Sequence, residues 1–577
     1  ATAEKIRIAV LGKICPKRRI CRVSLSLPKF KKTLGSDNFT EKSSFAVSHT
    51  KTVLANMPLS AKTTALSAVL LGLLACQSDS QNSNPGQSGN DWPEYLGNAA
   101  RSHYSTLDQI NAQNVNQLRV AWTYRTGGAD TTNNQTQIQC NPIVVNGVLY
   151  ATSPRIDVFA LEAGTGKEIW KFSAADFWGG KYSWAGTNRG VMHWQSENGG
   201  DKRILFAAGT FLFALDAATG KPVQSFGDSG RVDLRKDLDY DKSEFFIVSN
   251  TPGVIYKDLA IMGMRLSESV DAAPGHIRAY NVRTGKREWI FHTIPHPGEA
   301  GYETWEDKDA WKKTGGANCW TGMAVDRERG IVFVPTGSAT YDFYGGNRKG
   351  QNLYANCLLA LDAATGKRKW HFQTVHHDIW DRDLPAPPNL VTVTHGGKRI
   401  DAVAQTTKAG FVYLFDRETG KPLFPVEERP VPTSAMPGEQ AWPTQPVPVK
   451  PAPYSRQSFT LADVNPYSRQ RDSLAARLAK ARTGQNFIPL SREGTIVFPG
   501  LDGGAEWGGA AADPDGILYV NANEMPWMLE MADIPVVDNN DPHSRAKQLY
   551  ATNCTSCHGA KRQGNGVYPA LVDVKKR

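Results

Sequence analysis

No apolar run in this chain is long enough to cross a bilayer. The run Ala65-Leu-Ser-Ala-Val-Leu-Leu-Gly-Leu-Leu-Ala75 falls well short of the roughly 20 residues that a hydrocarbon core of about 30 Å requires. Positive charge is scarce outside the head: the formal net charge is +10, residues 1–56 hold 12 Lys/Arg against 3 Asp/Glu, and the remainder is left with +1. No basic body remains to grip nucleic acid. Cysteine is sparse, eight in 577 residues, and Cys140, Cys319 and Cys357 follow no regular spacing, so they read as buried thiols. Turn formers are abundant instead. With 52 Gly, 34 Pro, 40% hydrophobic and 10% aromatic residues, the composition predicts an all-β chain of many short strands around a large core.

The chain lacks an initiator Met, and residues 1–56 show no hydrophobic periodicity. They are expected to be a non-native extension upstream of the true start. Residues 57–76 have the three-part shape of an export signal: Met57, a short polar segment with Lys62, then the apolar run. Its ending, Leu73-Leu-Ala-Cys76, resembles a bacterial lipobox, which implies cleavage before Cys76 and lipidation of its thiol. The alternative is a buried helix that happens to end in Cys. On the export reading, residues 77–90 are a polar tether, and the mature protein is periplasmic and lipid-anchored to a membrane.

From residue 91 the main feature is repetition. Ala160-Leu-Glu-Ala-Gly-Thr-Gly-Lys-Glu-Ile-Trp170, Ala214-Leu-Asp-Ala-Ala-Thr-Gly-Lys221, Ala279-Tyr-Asn-Val-Arg-Thr-Gly-Lys-Arg-Glu-Trp289, Ala360-Leu-Asp-Ala-Ala-Thr-Gly-Lys-Arg-Lys-Trp370 and Leu414-Phe-Asp-Arg-Glu-Thr-Gly-Lys421 share one template. Each is a strand, a turn needing a positive-φ Gly and a returning strand, usually with a Trp that can pack between blades. The turn glycines lie 54, 65, 81 and 54 residues apart, which suits four-stranded blades with insertions in the longer intervals.

One copy continues differently. After Phe372 the chain packs His376, His377, Asp378, Trp380, Asp381 and Asp383 into eight residues before Leu384-Pro-Ala-Pro-Pro388. That stretch is too polar for a core strand and too aromatic for a plain loop, so it reads as a site.

The repeat, together with Gly315-Gly-Ala-Asn-Cys-Trp-Thr-Gly322, Val375-His-His-Asp-Ile-Trp-Asp381, Thr406-Thr-Lys-Ala-Gly410 and Gly503-Gly-Ala-Glu-Trp-Gly-Gly509, resembles the pyrroloquinoline quinone (PQQ) dehydrogenases. It lies nearest the glucose and alcohol branches. The resemblance implies an eight-bladed β-propeller over residues 91–535 with PQQ and a divalent cation on its axis. It implies Asp381 as the base that takes the substrate hydroxyl proton and Lys408, 27 residues on, as the cation at the quinone oxygens. Trp320 corresponds to the aromatic floor under the ring, Arg189 to the arginine pairing a PQQ carboxylate, Gln139 to a position often held by Glu, and Trp507 to one near the quinone edge. The metal set departs from the methanol-type pattern: Ser338 stands at the Asn position, the Glu position falls near Ala272 and Ala273, and Glu268 and Asp271 are out of register. Asp381 and the quinone's own oxygens would then hold Ca²⁺ or Mg²⁺. The chain has no vicinal Cys pair, a feature of the methanol branch, and carries Ala185 where some glucose enzymes place a His.

Beyond Pro453, Leu461–Arg482 reads as a charged helical insertion. Near the end, Cys554-Thr-Ser-Cys557-His558 follows the helix-like run Ser544–Tyr550 and is a C-x-x-C-H haem attachment sequence. Cys554 and Cys557 would form the thioethers of haem c, and His558 would ligate its iron. No second ligand pair supports a zinc reading. Residues 541–577 are expected to be the start of a cytochrome c domain, since only 19 residues follow His558 and none is Met. The propeller is likewise expected to be incomplete.

The function implied is oxidation of an alcohol or sugar hydroxyl, aldose or polyol, by hydride transfer to PQQ. Electrons would pass through haem c to a cytochrome or a ubiquinone-linked oxidase. The competing reading is a non-catalytic propeller lipoprotein that binds proteins, a role the repeat alone also serves in barrel-assembly lipoproteins.

Overall fold

The structure, a computed structural model, describes residues 7–12, 21–23, 91–129, 136–178, 187–236, 238, 246–268, 272–533, 538, 540–541, 543–559, 561–564 and 569–572. The signal segment, the tether and Cys76 lie outside them, as does Asp271. Among the described residues no helix is long and apolar enough to cross a membrane.

Each template copy folds as the inner-to-outer half of a sheet. Four antiparallel four-stranded sheets follow one another: Ile143–Val145, Val148–Thr152, Val158–Glu162 and Glu168–Phe172; Met192–Gln195, Lys202–Ala208, Phe211–Asp216 and Arg231–Asp233; Val254–Tyr256, Leu259–Met262, Ile277–Asn281 and Arg287–Phe291; Ala324–Asp326, Ile331–Pro335, Cys357–Asp362 and Arg368–Gln373. In three of them each strand pairs with its neighbour in sequence; in the third sheet Arg265–Leu266 intervenes between Leu259–Met262 and Ile277–Asn281 and pairs instead with Ile247–Val248. A three-stranded sheet comes next, Asn389–His395, Lys398–Thr406 and Val412–Asp416, and then the pair Ala510–Ala512 with Ile517–Ala522. The head contributes two strands to this last sheet. Arg7–Gly12 runs parallel to Ile517–Ala522, with Cys21–Val23 antiparallel on its outer side, whereas the rest of residues 1–56 lies outside the described set.

Burial follows position in the sheet. Middle strands such as Ile331–Pro335 are buried along their whole length, because both faces meet neighbouring sheets and continuous apolar runs are tolerated there. Outer strands such as Glu168–Phe172 bury little beyond their Trp and keep charges at the open edge, which discourages further pairing. The core is therefore a series of apolar clusters between consecutive sheets, one between the first and second, others between the second and third, third and fourth, and fourth and fifth.

One directional contact recurs between the first and second, third and fourth, and fourth and fifth sheets. Trp170, Trp289 and Trp370 donate their indole N–H to the carbonyls of Ala217, Ala363 and Arg417, at 3.0, 3.2 and 3.2 Å. Their rings lie on the turn glycines Gly220, Gly366 and Gly420, where a Cβ would come within 2.5 Å of the indole. Trp122 docks in the same way on Gly166 and bonds Ala163 O at 3.1 Å. The turn Gly thus meets two demands, a φ near +70° and the absence of a side chain. The copies at 214 and 414 run on as Lys221-Pro222 and Lys421-Pro422, and there the returning strand shrinks to the isolated bridges Leu215↔Pro222 and Phe415↔Pro422. Proline has no N–H with which to continue a ladder.

The long intervals hold excursions, residues 292–314 and 336–356, and the predicted insertion forms a short helix, Arg471–Leu478. Cys319 and Cys357 are buried thiols as predicted, but Cys140 is only half-buried.

Trp289→Phe should lower stability by about 1–2 kcal/mol, since Ala363 O loses its donor, and Gly366→Ala should cost about 2–3 kcal/mol through overpacking and αL strain. Urea midpoints would also show coupling: Trp289→Ala should relieve part of the Gly366→Ala penalty, and strict additivity would contradict the docking.

Candidate functional site

The eight-residue polar stretch divides by function in the structure. His376 is held by Gln445, Gln373 and Glu428, and His377 by Gly350 O and Asn352. Asp378 is fully buried and accepts from Ser338 Oγ, Asn356 Nδ2 and the amides of Trp380 and Arg382, at 2.5, 2.7, 2.9 and 2.6 Å. Trp380 Nε1 bonds Ile488 O, and the Arg382 guanidinium bonds Pro499 O. These residues anchor an irregular segment, bent over 374–377 and 379–380, from which Asp381 and Asp383 reach the cavity. Asp381 sits at φ +57°, a left-handed conformation that a non-Gly residue keeps only when its surroundings enforce it.

Both carboxylates line a cavity of about 490 Å³ built by loops of successive sheets. Gln139, Arg189, Trp320, Asp381 and Lys408, each singled out from the sequence, all reach it, and so do Glu268, Ser338, Asp342 and Asp383. Lys408 Nζ lies 2.8 Å from Asp381 Oδ1 and 3.6 Å from Asp383 Oδ2. Asp383 also accepts the Trp320 indole N–H at 2.9 Å and the Ser338 amide at 2.6 Å. It therefore fixes the ring and the ammonium together. Glycine makes room for Lys408: Gly504 donates to Lys408 O at 2.7 Å, and a Cβ on Gly503 would meet Lys408 Cγ at 2.5 Å.

Arg189 lies opposite. Its guanidinium donates to Thr251 Oγ1 at 2.8 Å and to Asn250 and Trp320 O at 3.3 Å. It stacks 5.6 Å from the Trp320 ring and 4.6 Å from the Trp507 ring. Trp507, expected at the edge of the cofactor, is not among the cavity-lining residues and instead covers this guanidinium. Arg189 Nε and Gln139 Oε1 are buried without partners.

Burial dominates the electrostatics. It raises Asp381 well above the usual carboxylate range against the pull of Lys408, and Asp383 adds to the rise. Asp342 is raised likewise by burial, then by Asp381 and Asp383. Burial alone would lower the Lys408 ammonium, but Asp381, Asp383 and Glu506 outweigh it and hold it above its ordinary value. The two rises at the Asp381–Lys408 contact pull in opposite senses. We take the ammonium as charged, because two carboxylates touch it, and the cluster's extra proton as resident on Asp342, which does not. Burial brings Arg189 down to about 10.

Apart from this cavity, Ser544–Asn553 forms a helix followed by the turn Thr555–His558. His558 Nδ1 lies 2.9 Å from Pro569 O. A carbonyl only accepts, so Nδ1 carries the proton and Nε2 the lone pair, the tautomer of a metal-ligating histidine. The Cys554 thiol is half-buried and free, and the Cys557 side chain lies outside the described residues.

Successive sheets joined by indole docking, with a buried ammonium–carboxylate pair beside an aromatic wall in the cavity between their loops, define a β-propeller of the enzyme type. The chain belongs to the PQQ family described as glucose/ethanol/alcohol dehydrogenase, β-propeller domain, which matches residues 92–566. It is similar to quinoprotein glucose dehydrogenase A of Acinetobacter calcoaceticus (32% identity over 76% of this chain and 58% of the relative). It is also similar to the quinate/shikimate dehydrogenase (quinone) of Acinetobacter baylyi (33%, 77% and 57%). Among solved structures it resembles the quinohemoprotein alcohol dehydrogenases of Pseudomonas putida HK5 (TM-score 0.57, 25% identity, 79% of this chain and 60% of that one) and Comamonas testosteroni (0.56, 26%, 76% and 58%). The chain spans under two thirds of the length of these relatives.

Asp342 and Glu506 were given no role from the sequence. Asp383 was grouped with the polar stretch but assigned no role of its own, and the structure places it against Lys408 and Trp320.

Burial pushes Glu506 up to about 7 from an ordinary 4.5. A raised acid contributes stability below the unfolded value and loses it as pH rises through the folded one. Glu506→Gln should therefore gain on the wild type by roughly 2–3 kcal/mol between pH 4 and pH 8, seen in urea midpoints; an offset independent of pH would contradict the burial.

Proposed function

We propose that this chain is the propeller body of a quinoprotein dehydrogenase that oxidises a hydroxyl group of an alcohol or sugar, aldose or polyol. The observation that carries the reading is the Lys408–Asp381 contact of 2.8 Å in a cavity walled by Trp320. The residues fit PQQ. The indole offers a planar face, and Arg189 Nε and Gln139 Oε1 are buried polar atoms awaiting partners that an acidic, polar ring system supplies.

PQQ supplies a two-electron acceptor for hydride when bound. Asp381 accepts the proton of the substrate hydroxyl, a step that makes the carbon a better hydride donor. Lys408 would place its ammonium to stabilise negative charge that the bound cofactor takes up. Asp383 is a positioning residue for both Trp320 and Lys408. Ca²⁺ or Mg²⁺ would be held by Asp381, in a cavity where Asp342, Asp383 and Glu268 supply further hard oxygens. The relatives named for glucose, quinate and glycerol support a hydroxyl substrate. A protein-binding scaffold gives no reason to bury a lysine among three aspartates.

Haem c at Cys554, Cys557 and His558 would take the electrons singly and pass them to a cytochrome or a ubiquinone-linked oxidase. The His558–Pro569 bond and the quinohemoprotein likenesses support this step. Lipidation at Cys76 would hold the enzyme at a membrane in the bacterial periplasm.

Reconstituted with PQQ and Ca²⁺, the protein should reduce a dye with at least one of a panel of alcohols, aldoses and polyols; silence across the panel would favour the scaffold. Asp381→Asn should retain PQQ and lose turnover by about 10²–10⁴-fold. Expressed where c-type maturation operates, the chain should keep haem through a denaturing gel, Cys554→Ala should weaken that stain, and an unstained wild type would remove haem from the scheme.

A further inference from the structure

The insertion beyond the fifth sheet carries charge that the cavity does not use. It leaves the body at Tyr454 and returns at Asn486, and both of its ends close on one turn. The Tyr454 amide donates to Gly410 O at 3.0 Å and its hydroxyl accepts from the Thr407 amide at 3.2 Å, while Gln457 Nε2 and Asn486 Nδ2 each donate to Ala409 O at 3.0 Å. That turn carries Lys408, so the insertion has a fixed place relative to the cavity.

Between these feet the helix Arg471–Leu478 rests on the body by one face. Leu474, Ala475 and Leu478 are half-buried, at the spacing of an inward stripe. Ser473, Ala476 and Arg477 face solvent, and Arg469 and Lys480 are exposed just before and after the helix. Residues 464–482 hold five Lys/Arg and one Asp, an excess of four, so the chain beyond the head is +1 with this stretch and −3 without it. Among the described residues no carboxylate lies within 4.0 Å of Arg469, Arg471, Arg477 or Lys480. Asp463 and Glu524 are taken by Arg456, at 2.5 and 2.8 Å, and Arg482, the fifth cation, neighbours Glu493. Two residues before Arg469, Tyr467 is 92% exposed, the most exposed large apolar side chain of the described residues.

We propose that this insertion is a docking surface for an anionic lipid bilayer, with Arg469, Arg471, Arg477 and Lys480 on the headgroups and Tyr467 at the interface, independent of the PQQ reading and of any lipid on Cys76. Basic side chains near such a surface each gain roughly fivefold in affinity. Tyrosine settles at headgroup level, its ring in the apolar edge and its hydroxyl in water. A protein interface is organised around bulky anchors seated in pockets. Here the helix and its end offer small residues, Ser473, Ala476 and Ala479, between long side chains that no ion pair holds in place. That suits a fluid anionic surface, which supplies charge wherever a cation reaches. Because the rest of the chain beyond the head is net negative, the same surface repels it and the patch sets the orientation.

The test mixes the full chain with vesicles of phosphatidylcholine holding about 30% phosphatidylglycerol, whose anionic lipid gives a negative surface potential. The basic head can bind as well, so hydrogen exchange locates the contact. Amides of residues 464–482 should gain protection, which phosphatidylcholine alone should not give and which about 0.5 M salt should remove. Arg469→Gln/Arg477→Gln/Lys480→Gln should abolish that protection and weaken vesicle binding by about 10-fold or more, with near-UV CD unchanged. Arg469→Lys/Arg477→Lys, which keeps the charge, should retain the protection, and Tyr467→Ala should lose part of it. Equal protection of these amides in the triple variant and the parent, or protection confined to the head, would overturn the assignment. So would soluble polyglutamate protecting the same amides as strongly as vesicles while Tyr467→Ala has no effect, a result that would give the surface to an acidic protein.

Discussion

An indole laid on a glycine holds this architecture together. The Trp in the middle of the outer strand of the first, third and fourth sheets needs a bare backbone beneath it and a carbonyl at its N–H, and the Thr-Gly-Lys turn of the next sheet offers both. Because ring and carbonyl are engaged together, the contact sets both the distance and the rotation from one sheet to the next. Apolar burial between sheets is large but non-directional. Without a directional contact in each repeat, the loops that build the cavity would have no fixed register with one another.

That register is what the cavity uses. Arg189 precedes the second sheet, Trp320 the fourth, Asp381 and Asp383 the fifth, and Lys408 sits on a turn inside the fifth. No single sheet could build this cavity, since its guanidinium, its indole and its carboxylate–ammonium pair come from three different ones. The cost is burial of charge. Three aspartates and a lysine removed from water are tolerable because the lysine touches two of them and the third holds a proton, while Ser338 and Trp320 give Asp383 neutral donors.

The repeats were legible because they are local: strand, turn and Trp lie within eleven residues, and the turn glycines betray themselves by spacing. Asp381, Lys408, Trp320 and Arg189 were legible by resemblance to the family. Composition had grouped His376, His377 and Asp378 with Asp381 as one site. The structure separates them through the bends and positive-φ positions of this stretch, which turns four of the six chemistry-bearing residues into anchors. Asp342 and Glu506 were invisible since their effect on Lys408 and Asp381 exists only after folding. The head also behaves differently from its aperiodic sequence, with Arg7–Gly12 as a strand beside Ile517–Ala522. Nothing in a six-residue apolar run states which edge it will join.

The ring cluster of His276, His292 and His296 shows the same rule from the other side. His292 and His296 are four apart, a spacing that would signal a ligand pair on a helix but means nothing in the irregular excursion they occupy. His276 is sixteen residues earlier, across a turn between paired strands. Antiparallel pairing brings Ile277 opposite Phe291, so the residues just outside that pair, 276 and 292, must face each other at the end of the ladder. Strand register therefore creates the first contact of the trio, and the excursion only has to fold His296 back by one turn to complete it.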